Sequence, residues 1–209
     1  MDKTFEKTLE FRHACKVFDE SKKIPQKDLE FILDAARRAP SSFGMEPWKF
    51  LVITNEELKA KLRPHCWDQV QITSCSHLVV ILAGIESVKV ETGIPKKRFA
   101  RREMPEDKLE FYVNLYANHL KDTLSSDENI YAWTAKQTIF AAANMMSAAA
   151  VKGVDSCPIE GYDKDGVETI LALDKSKFRL SMLLPLGYRV NEQSSQQRLK
   201  FDEVVEYID

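Results

Sequence analysis

Glycine is scarce in this chain, with seven residues in 209. None sits in a G-x-G-x-x-G turn or a Walker-type loop, so neither common glycine-rich phosphate cradle is present. No G-x-S-x-G nucleophile elbow occurs either. The four histidines (His13, His65, His77, His119) lack metal-ligand spacing, and His77, opening an apolar run, reads as structural. Cys15, Cys66, Cys75 and Cys157 form no C-x-x-C pair and no metal-finger pattern, so we expect no metal and reduced thiols in a cytoplasmic setting. No apolar run spans a bilayer: Ala141 to Val151 comes nearest and is interrupted by Asn144 and Ser147. The first seven residues lack the apolar stretch of a secretory signal. A formal net charge of −2 gives no reason to expect nucleic acid or an anionic membrane as partner.

What is present is ordinary for a globular chain: 44% apolar and 30% charged residues, with no repeat or linker dividing them. We expect one domain over 1–209. Thr4 starts a short helix with Phe5, Leu9 and Phe11 on its apolar face. A second helix opens at Pro25, carries Leu29, Ile32, Leu33 and Ala36 at helical spacing, and stops before Pro40. Trp48–Thr54 reads as a strand, Asn55 as the cap of a helix carrying Leu58 and Leu62, and His77–Ala83 as a fully apolar strand. Residues 86–126 form a charged excursion with one amphipathic helix, Glu106 to Leu124. Asp127 is placed to cap a long helix through Ala150, apolar almost all round from Thr138 and closed by Gly153. A short helix near Lys164–Leu173 and a strand over 179–187 follow. The tail from Asn191 ends in Phe201–Ile208, a last strand or an arm. Strands separated by helices imply an α+β fold with a sheet covered on both faces. The all-round apolar helix implies burial against a second copy.

Two places suit ligand chemistry. In Ser156-Cys157-Pro158-Ile159-Glu160-Gly161-Tyr162, Pro158 stiffens a turn and Gly161 allows close approach, which suits a planar ligand read by backbone amides. Pro40-Ser41-Ser42-Phe43-Gly44 offers hydroxyls and a mobile backbone after a helix. Arg12, Lys16 and Arg198 are isolated cations, and a solvated surface explains each taken alone. The cluster Lys96-Lys97-Arg98 with Arg101-Arg102 precedes Glu103, Glu106 and Asp107 and reads as a self-compensating surface. Cys15 beside Lys16 invites a lowered thiol pKa, though it and Cys157 read first as packed side chains.

In this order the segments Arg12–Asp19, Ala39–Phe50, Trp133–Gln137 and Gly153–Asp163, with Leu186–Arg189 and Arg198, resemble the nitroreductase family of FMN-dependent, NAD(P)H-using reductases. The resemblance covers the whole chain and is weakest over 86–126. It implies a mostly antiparallel central sheet flanked by helices, and an intertwined homodimer with FMN at the subunit interface. Arg12, His13, Ala14 and Lys16 would hold the flavin phosphate and ring edge, Lys16 favouring negative charge near N1 and the C2 carbonyl. Pro40, Ser41, Ser42 and Gly44 would come from the other subunit. Asp68 and Gln71 would meet the pyrimidine side or the ribityl chain. Pro158, Ile159, Glu160 and Gly161 would line the ring and aim a backbone N–H at N5. Arg198 would reach the phosphate, with Gln196 at the place of a second phosphate-binding residue. Phe43 with Tyr112 or Tyr116 would wall a pocket for a small-molecule acceptor, core packing being the alternative for Tyr112. The C-terminal arm, 190–209, would wrap onto the partner.

Departures from the family pattern are Gly44 for Asn, Glu46 for Gln, Asp68 for Asn, Gln71 for Lys, and Gln196 for Lys. The implied reaction passes a hydride from NADH or NADPH through FMN to nitroaromatics, quinones or similar acceptors, in ping-pong order and with no obligatory catalytic side chain. A non-catalytic FMN-binding dimer, a flavin or enone reductase with a narrow substrate, and a flavin-free helical interaction protein are the alternatives.

Overall fold

Three apolar stretches and one polar dipeptide pair into one sheet: β1 (Trp48–Ile53), β2 (His77–Gly84), the two-residue β3 (Asp155–Ser156) and β4 (Phe178–Gly187). The computed structural model describes residues 5–208, so Thr4, the expected helix start, lies outside the described residues. All pairings in the sheet are antiparallel, in the order β1-β2-β4-β3. β2 and β4 occupy the middle and are covered on both faces, so Leu78–Ala83 and Met182–Leu186 read as unbroken apolar runs rather than alternating ones. Val79 opposes Leu184 and Val80 opposes Leu183, which puts the first pair on one face of the sheet and the second on the other. A β-bulge interrupts the ladder at Ile81/Leu82, where Met182 and Leu180 are the partners and Ser181 is left over.

Nine α-helices surround the sheet among the described residues: α1 (Phe5–Phe11), α2 (Gln26–Arg37), α3 (Glu56–Leu62), α4 (Gln71–Ser74), α5 (Ile94–Ala100), α6 (Glu106–Thr123), α7 (Asp127–Val151), α8 (Lys164–Ile170) and α9 (Phe201–Val204). On one face, Leu29, Ile32 and Ala36 of α2 and Ala141, Met145 and Ala149 of α7 bury against Val79, Ile81 and Leu184. On the other, Leu62, Ile72 and Val167 from α3, α4 and α8 close over Leu78, Val80 and Leu183. A third core, in the excursion, gathers Met45, Val88, Phe99, Leu109, Tyr116 and Ile130. Each such fully buried aliphatic or aromatic side chain contributes about 1.5–3 kcal/mol.

The local signals mostly hold. Asn55 Oδ1 accepts the Leu58 N–H at 2.7 Å, capping α3. Gly153 takes a left-handed φ of 70° just beyond α7. The cap of α7 is Ser126 and not Asp127. Ser126 has the extended backbone a cap requires (φ −131°, ψ 160°), and its Oγ accepts the Asn129 N–H at 3.2 Å. Asp127 is the first helical residue and pairs with Lys89 at 2.6 Å. The excursion holds a second helix, α5, that its charge concealed. The tail forms the short helix α9 and no strand, and Phe201, Val204, Tyr207 and Ile208 are 67%, 63%, 80% and 90% exposed. Ile139 and Phe140 of α7, and Phe5 and Leu9 of α1, are also open to solvent. No helix among the described residues is long and apolar enough to cross a membrane.

Candidate active site

β3 is only two residues long, but it begins the turn that organises everything around it. Its Asp155 side chain, 3% exposed, takes the Arg189 Nε at 2.8 Å on Oδ1 and the Arg189 backbone N–H at 2.8 Å on Oδ2. Arg189 follows β4 and also donates to Phe11 O and Gln193 Oε1, with its guanidinium 4.3 Å above the Phe11 ring. One buried ion pair thus ties the turn to the end of α1 and to the start of the C-terminal arm.

Beyond Asp155, the Ser156 carbonyl accepts the Cys15 N–H at 3.1 Å, and Ala14 pairs with Ser156 in a parallel bridge. The Cys157 and Ile159 N–H groups donate to Pro185 O and Leu183 O. Among the described residues the Glu160, Gly161 and Tyr162 N–H groups donate to nothing, and the first two follow directly on the anchored Ile159. The turn ends where Tyr162 Oη donates to Ser181 O at 2.7 Å.

The segment Arg12–Lys16 runs alongside. His13, Ala14, Lys16, Val17, Arg189 and Ser194 border a cavity of about 140 Å³. His13 Nδ1 is buried without a hydrogen-bond partner among the described residues, 3.6 Å from Asp155 Oδ1. Burial first, then the nearby Arg189 charge, lowers the His13 pKa. Lys16 reaches out with Nζ 3.9 Å from Cys157 Sγ, a thiol that also receives Gln71 Nε2 at 3.8 Å. Cys15 is no activated thiol: burial, with the Asp155 charge added, pushes it up to about 11. Burial raises the Cys157 thiol as well, against the opposing charge of Lys16. All four cysteines are free and buried.

The connection between α3 and α4 clasps the turn from its other side. Trp67 sits in the left-handed region (φ 54°), is 74% exposed, and lies on Gly161: a Cβ there would be 2.6 Å from the indole. Gln69 Nε2 donates to Gly161 O at 2.9 Å and Gln71 Nε2 to Gln69 Oε1 at 3.0 Å. Asp68, also left-handed, is exposed, and its carbonyl accepts from Arg63. Gln196 Nε2 donates to the carbonyls of Leu9, Glu10 and Arg12, closing the C-terminus of α1. Arg198 is exposed and donates to Gln197 O.

The remaining expected residues lie elsewhere in the chain. No hydrogen bond or ion pair among the described residues joins Pro40, Ser41, Ser42 or Gly44 to the Pro158 turn. Ser42 N donates to Gln137 Oε1 at 2.8 Å, so α7 anchors that loop, and Ser41 Oγ accepts the Glu46 N–H at 2.8 Å. The Phe43 ring is 5.2 Å from Tyr116 and 5.4 Å from His119. Tyr116 has no exposed surface in this chain and donates its hydroxyl to Val88 O at 2.7 Å; Tyr112 stacks 6.1 Å from Phe99.

The Nitroreductase family model matches residues 9–188, which include the turn, the basic segment and the serine loop and end just before Arg189. The chain belongs to the nitroreductase family. Relatives of this nitroreductase include the "Putative NAD(P)H nitroreductase YfkO" of Bacillus subtilis, 40% identical over 208 residues, 95% of this chain and 94% of that one. A Staphylococcus haemolyticus protein with the same kind of name is 39% identical, covering 100% of this chain and 99% of its own. A Staphylococcus epidermidis structure provisionally named an NAD(P)H:FMN oxidoreductase superposes with a TM-score of 0.84 at 26% identity, over 98% of this chain and 96% of that one. A provisionally named Exiguobacterium sibiricum nitroreductase in complex with FMN gives 0.85 at 24%, over 100% and 99%, a likeness of fold.

The reading of the nitroreductase site from sequence missed Asp155 as the anchor of the turn, since its partner stands 34 positions away. Nor did it single out Trp67 as a residue of the site. A tryptophan followed by Asp68 and Gln69 gave no sign that its ring would lie on Gly161.

Proposed function

We propose that this nitroreductase binds FMN and oxidises NAD(P)H at the expense of nitroaromatics, quinones or similar acceptors. The observation that carries the reading is the Pro158 turn: anchored at both ends, it leaves the Glu160 and Gly161 N–H groups unspent, between exposed Lys16 and the Trp67 ring. An extended planar ligand with acceptor atoms along one edge fits that arrangement. The buried His13 Nδ1 without a partner and the cavity beside Arg189 fit the same ligand's polar tail.

Arg12, His13, Ala14 and Lys16 would hold the phosphate and the N1 edge, Lys16 placing its charge there. Gln71 and Asp68 would meet the pyrimidine side or the ribityl chain, Pro158 and Ile159 support the ring, and Glu160 and Gly161 present their amides toward N5. Bound FMN would supply the hydride chemistry between NAD(P)H and the acceptor. The chain's own residues orient and exclude water, and none need act as acid or base. Arg198 and Gln196 would lie toward the phosphate, Gln196 by fixing the Arg12 carbonyl rather than by touching the ligand.

The serine loop would complete the site of a second copy, in a cytoplasmic homodimer. Two features support this: the open apolar side chains Ile139 and Phe140 on α7, and the apolar arm with its exposed Phe201, Val204, Tyr207 and Ile208. A groove of about 560 Å³ along the edge strand β1, lined by Leu33, Trp48, Phe50 and Val52, offers such an arm a seat.

The test is a visible spectrum of the purified protein, followed by anaerobic titration with NADH and with NADPH and turnover on a panel of acceptors. The reading expects flavin absorbance, bleaching by at least one donor and reoxidation by a nitroaromatic or quinone. Protein that stays colourless after incubation with FMN would refute it. FMN bound without donor bleaching would leave only a flavin-binding dimer.

A further inference from the structure

Three loose ends of the sequence meet at one place in the fold. They are the glycine at position 44, the glutamate at position 46, and the basic cluster that reads as a solvated surface. Arg102 Nη2 donates to Phe43 O at 2.9 Å, while its guanidinium lies 5.5 Å above the Phe99 ring and 5.8 Å above that of Tyr112. Arg101 Nη2 binds Glu46 Oε1 at 2.8 Å and approaches Gly44 O at 3.5 Å. A Cβ at Gly44 would lie 2.9 Å from Arg102 Nη2, in the space the guanidinium occupies. Two other cations of the cluster are committed too, Arg98 to Ser87 O and Lys96 to Glu106.

The backbone these arginines hold is strained. Phe43 (φ 56°), Gly44 (φ 68°) and Glu46 (φ 44°) are all left-handed, and two of the three carry a side chain that disfavours it. Such a conformation persists only where its surroundings over-determine it. Here Gln137 secures Ser42 from α7, and the two arginines secure Phe43, Gly44 and Glu46 from the end of α5.

The geometry points to Arg101 and Arg102 as positioning residues that hold the serine loop in the shape that meets the flavin. The inference rests on the reading that Pro40–Gly44 contacts FMN. It adds that the excursion, α5 and α6, is part of the cofactor site through these contacts, and that Gly44, Glu46, Arg101 and Arg102 form one interdependent set. Arg102 acts through the loop and touches no ligand itself.

The experiment measures the FMN dissociation constant of reconstituted apoprotein, by flavin fluorescence, for Arg102→Ala, Arg102→Lys, Gly44→Asn and the Arg102→Ala/Gly44→Asn double variant. Asn tolerates a positive φ, so Gly44→Asn isolates the collision with Arg102 from backbone strain. Arg102 is solvent-exposed, so its charged hydrogen bond is partly screened and Arg102→Ala should weaken FMN about three- to tenfold. Arg102→Lys keeps the charge but not the stacked fork and should not restore binding. Gly44→Asn should weaken FMN in the native background and cost clearly less once Arg102 is gone. Far-UV circular dichroism and the melting midpoint of each apoprotein, expected within about 3 °C of native, separate loop positioning from general damage. If Arg102→Ala fails to fold, Arg102→Lys and Gly44→Asn carry the test. FMN affinity within twofold of native in the arginine variants, or a Gly44→Asn cost equal in both backgrounds, overturns the inference. Ser41→Ala and Ser42→Ala distinguish the two failures. If they weaken FMN while the Arg102 variants do not, only the clamp is wrong. If neither loop nor clamp variants change FMN binding, the loop does not meet FMN and the underlying reading fails.

Discussion

Truncating Asp155 to Ala removes the acceptor of three Arg189 donors, Nε, Nη2 and the backbone N–H, from a site where the carboxylate is 3% and the guanidinium 21% exposed. Breaking a buried ion pair from one side costs about 3–5 kcal/mol, because the remaining charge loses its partner. Arg189 keeps Phe11 O, Gln193 Oε1 and the Phe11 ring, so the lower end applies, about 3 kcal/mol. For a chain of this length each kcal/mol lowers the melting midpoint by about 2–4 °C, so Asp155→Ala should lower it by about 6–12 °C. Thermal denaturation followed by far-UV circular dichroism reads this directly. Asp155→Asn, which keeps an acceptor for the backbone N–H, should lose about half as much. The double variant Asp155→Ala/Arg189→Ala should lose less than the sum of the singles. A midpoint shift below about 2 °C for Asp155→Ala, or additive single losses, would show that the pair does not organise the turn.

Gly161→Ala puts a methyl group 2.6 Å from the Trp67 ring, so the indole must leave the turn; tryptophan emission should change and FMN affinity fall, and unchanged emission would refute the contact. Burial and Arg189 hold the His13 imidazole below its ordinary 6.5. The unfolded chain therefore binds that proton more readily, so the stability involved is present above pH 6.5 and lost as pH falls through the folded-state value. His13→Asn should flatten urea midpoints measured between about pH 7 and pH 5, and an unchanged slope would contradict the assignment. The thiols of Cys15, Cys66 and Cys75 are pushed up to about 11, 12 and 12 by burial. Native protein at pH 8 should react with a disulfide reagent only slowly and release all four thiols on unfolding, and a single fast thiol would refute this.

The features legible in the sequence are those whose physics is local. Asn55 caps α3 because the acceptor and the N–H it needs are three residues apart. α2 and β2 show in the spacing of Leu29, Ile32 and Ala36 and in the unbroken run of His77–Ala83. Where two neighbours could serve, spacing does not choose: Ser126 caps α7 because its backbone is extended, and Asp127 turns instead to Lys89, 38 positions earlier in the chain. The basic segment after Lys96 looks solvated in one dimension because its partners, Phe43, Gly44 and Glu46, stand more than fifty residues upstream. Gln196 aligned with a phosphate-binding position, but its amide closes the carbonyl end of α1, which no composition or period announces. Nor does any periodicity reveal that Asp155 and Arg189 meet, although each stands in a segment that the family resemblance picked out.

The bulge that leaves Ser181 unpaired in β4 bears on whether this site can be moved. It turns the Leu180 and Ser181 carbonyls out of the ladder, where Tyr131 of α7 and Tyr162 of the turn each donate to one at 2.7 Å. The turn is thus suspended between an ion pair at Asp155 and a hydroxyl at an irregularity of the sheet, neither of which lies within its middle. Grafting Ser156–Tyr162 onto another scaffold would carry its residues but not their orientation. A transplant that works must bring the bulged strand, Arg189 and the end of α1 with it. By the same reasoning, a one-residue deletion that restores a regular β4 would misaim the Glu160 and Gly161 amides without altering any residue of the turn.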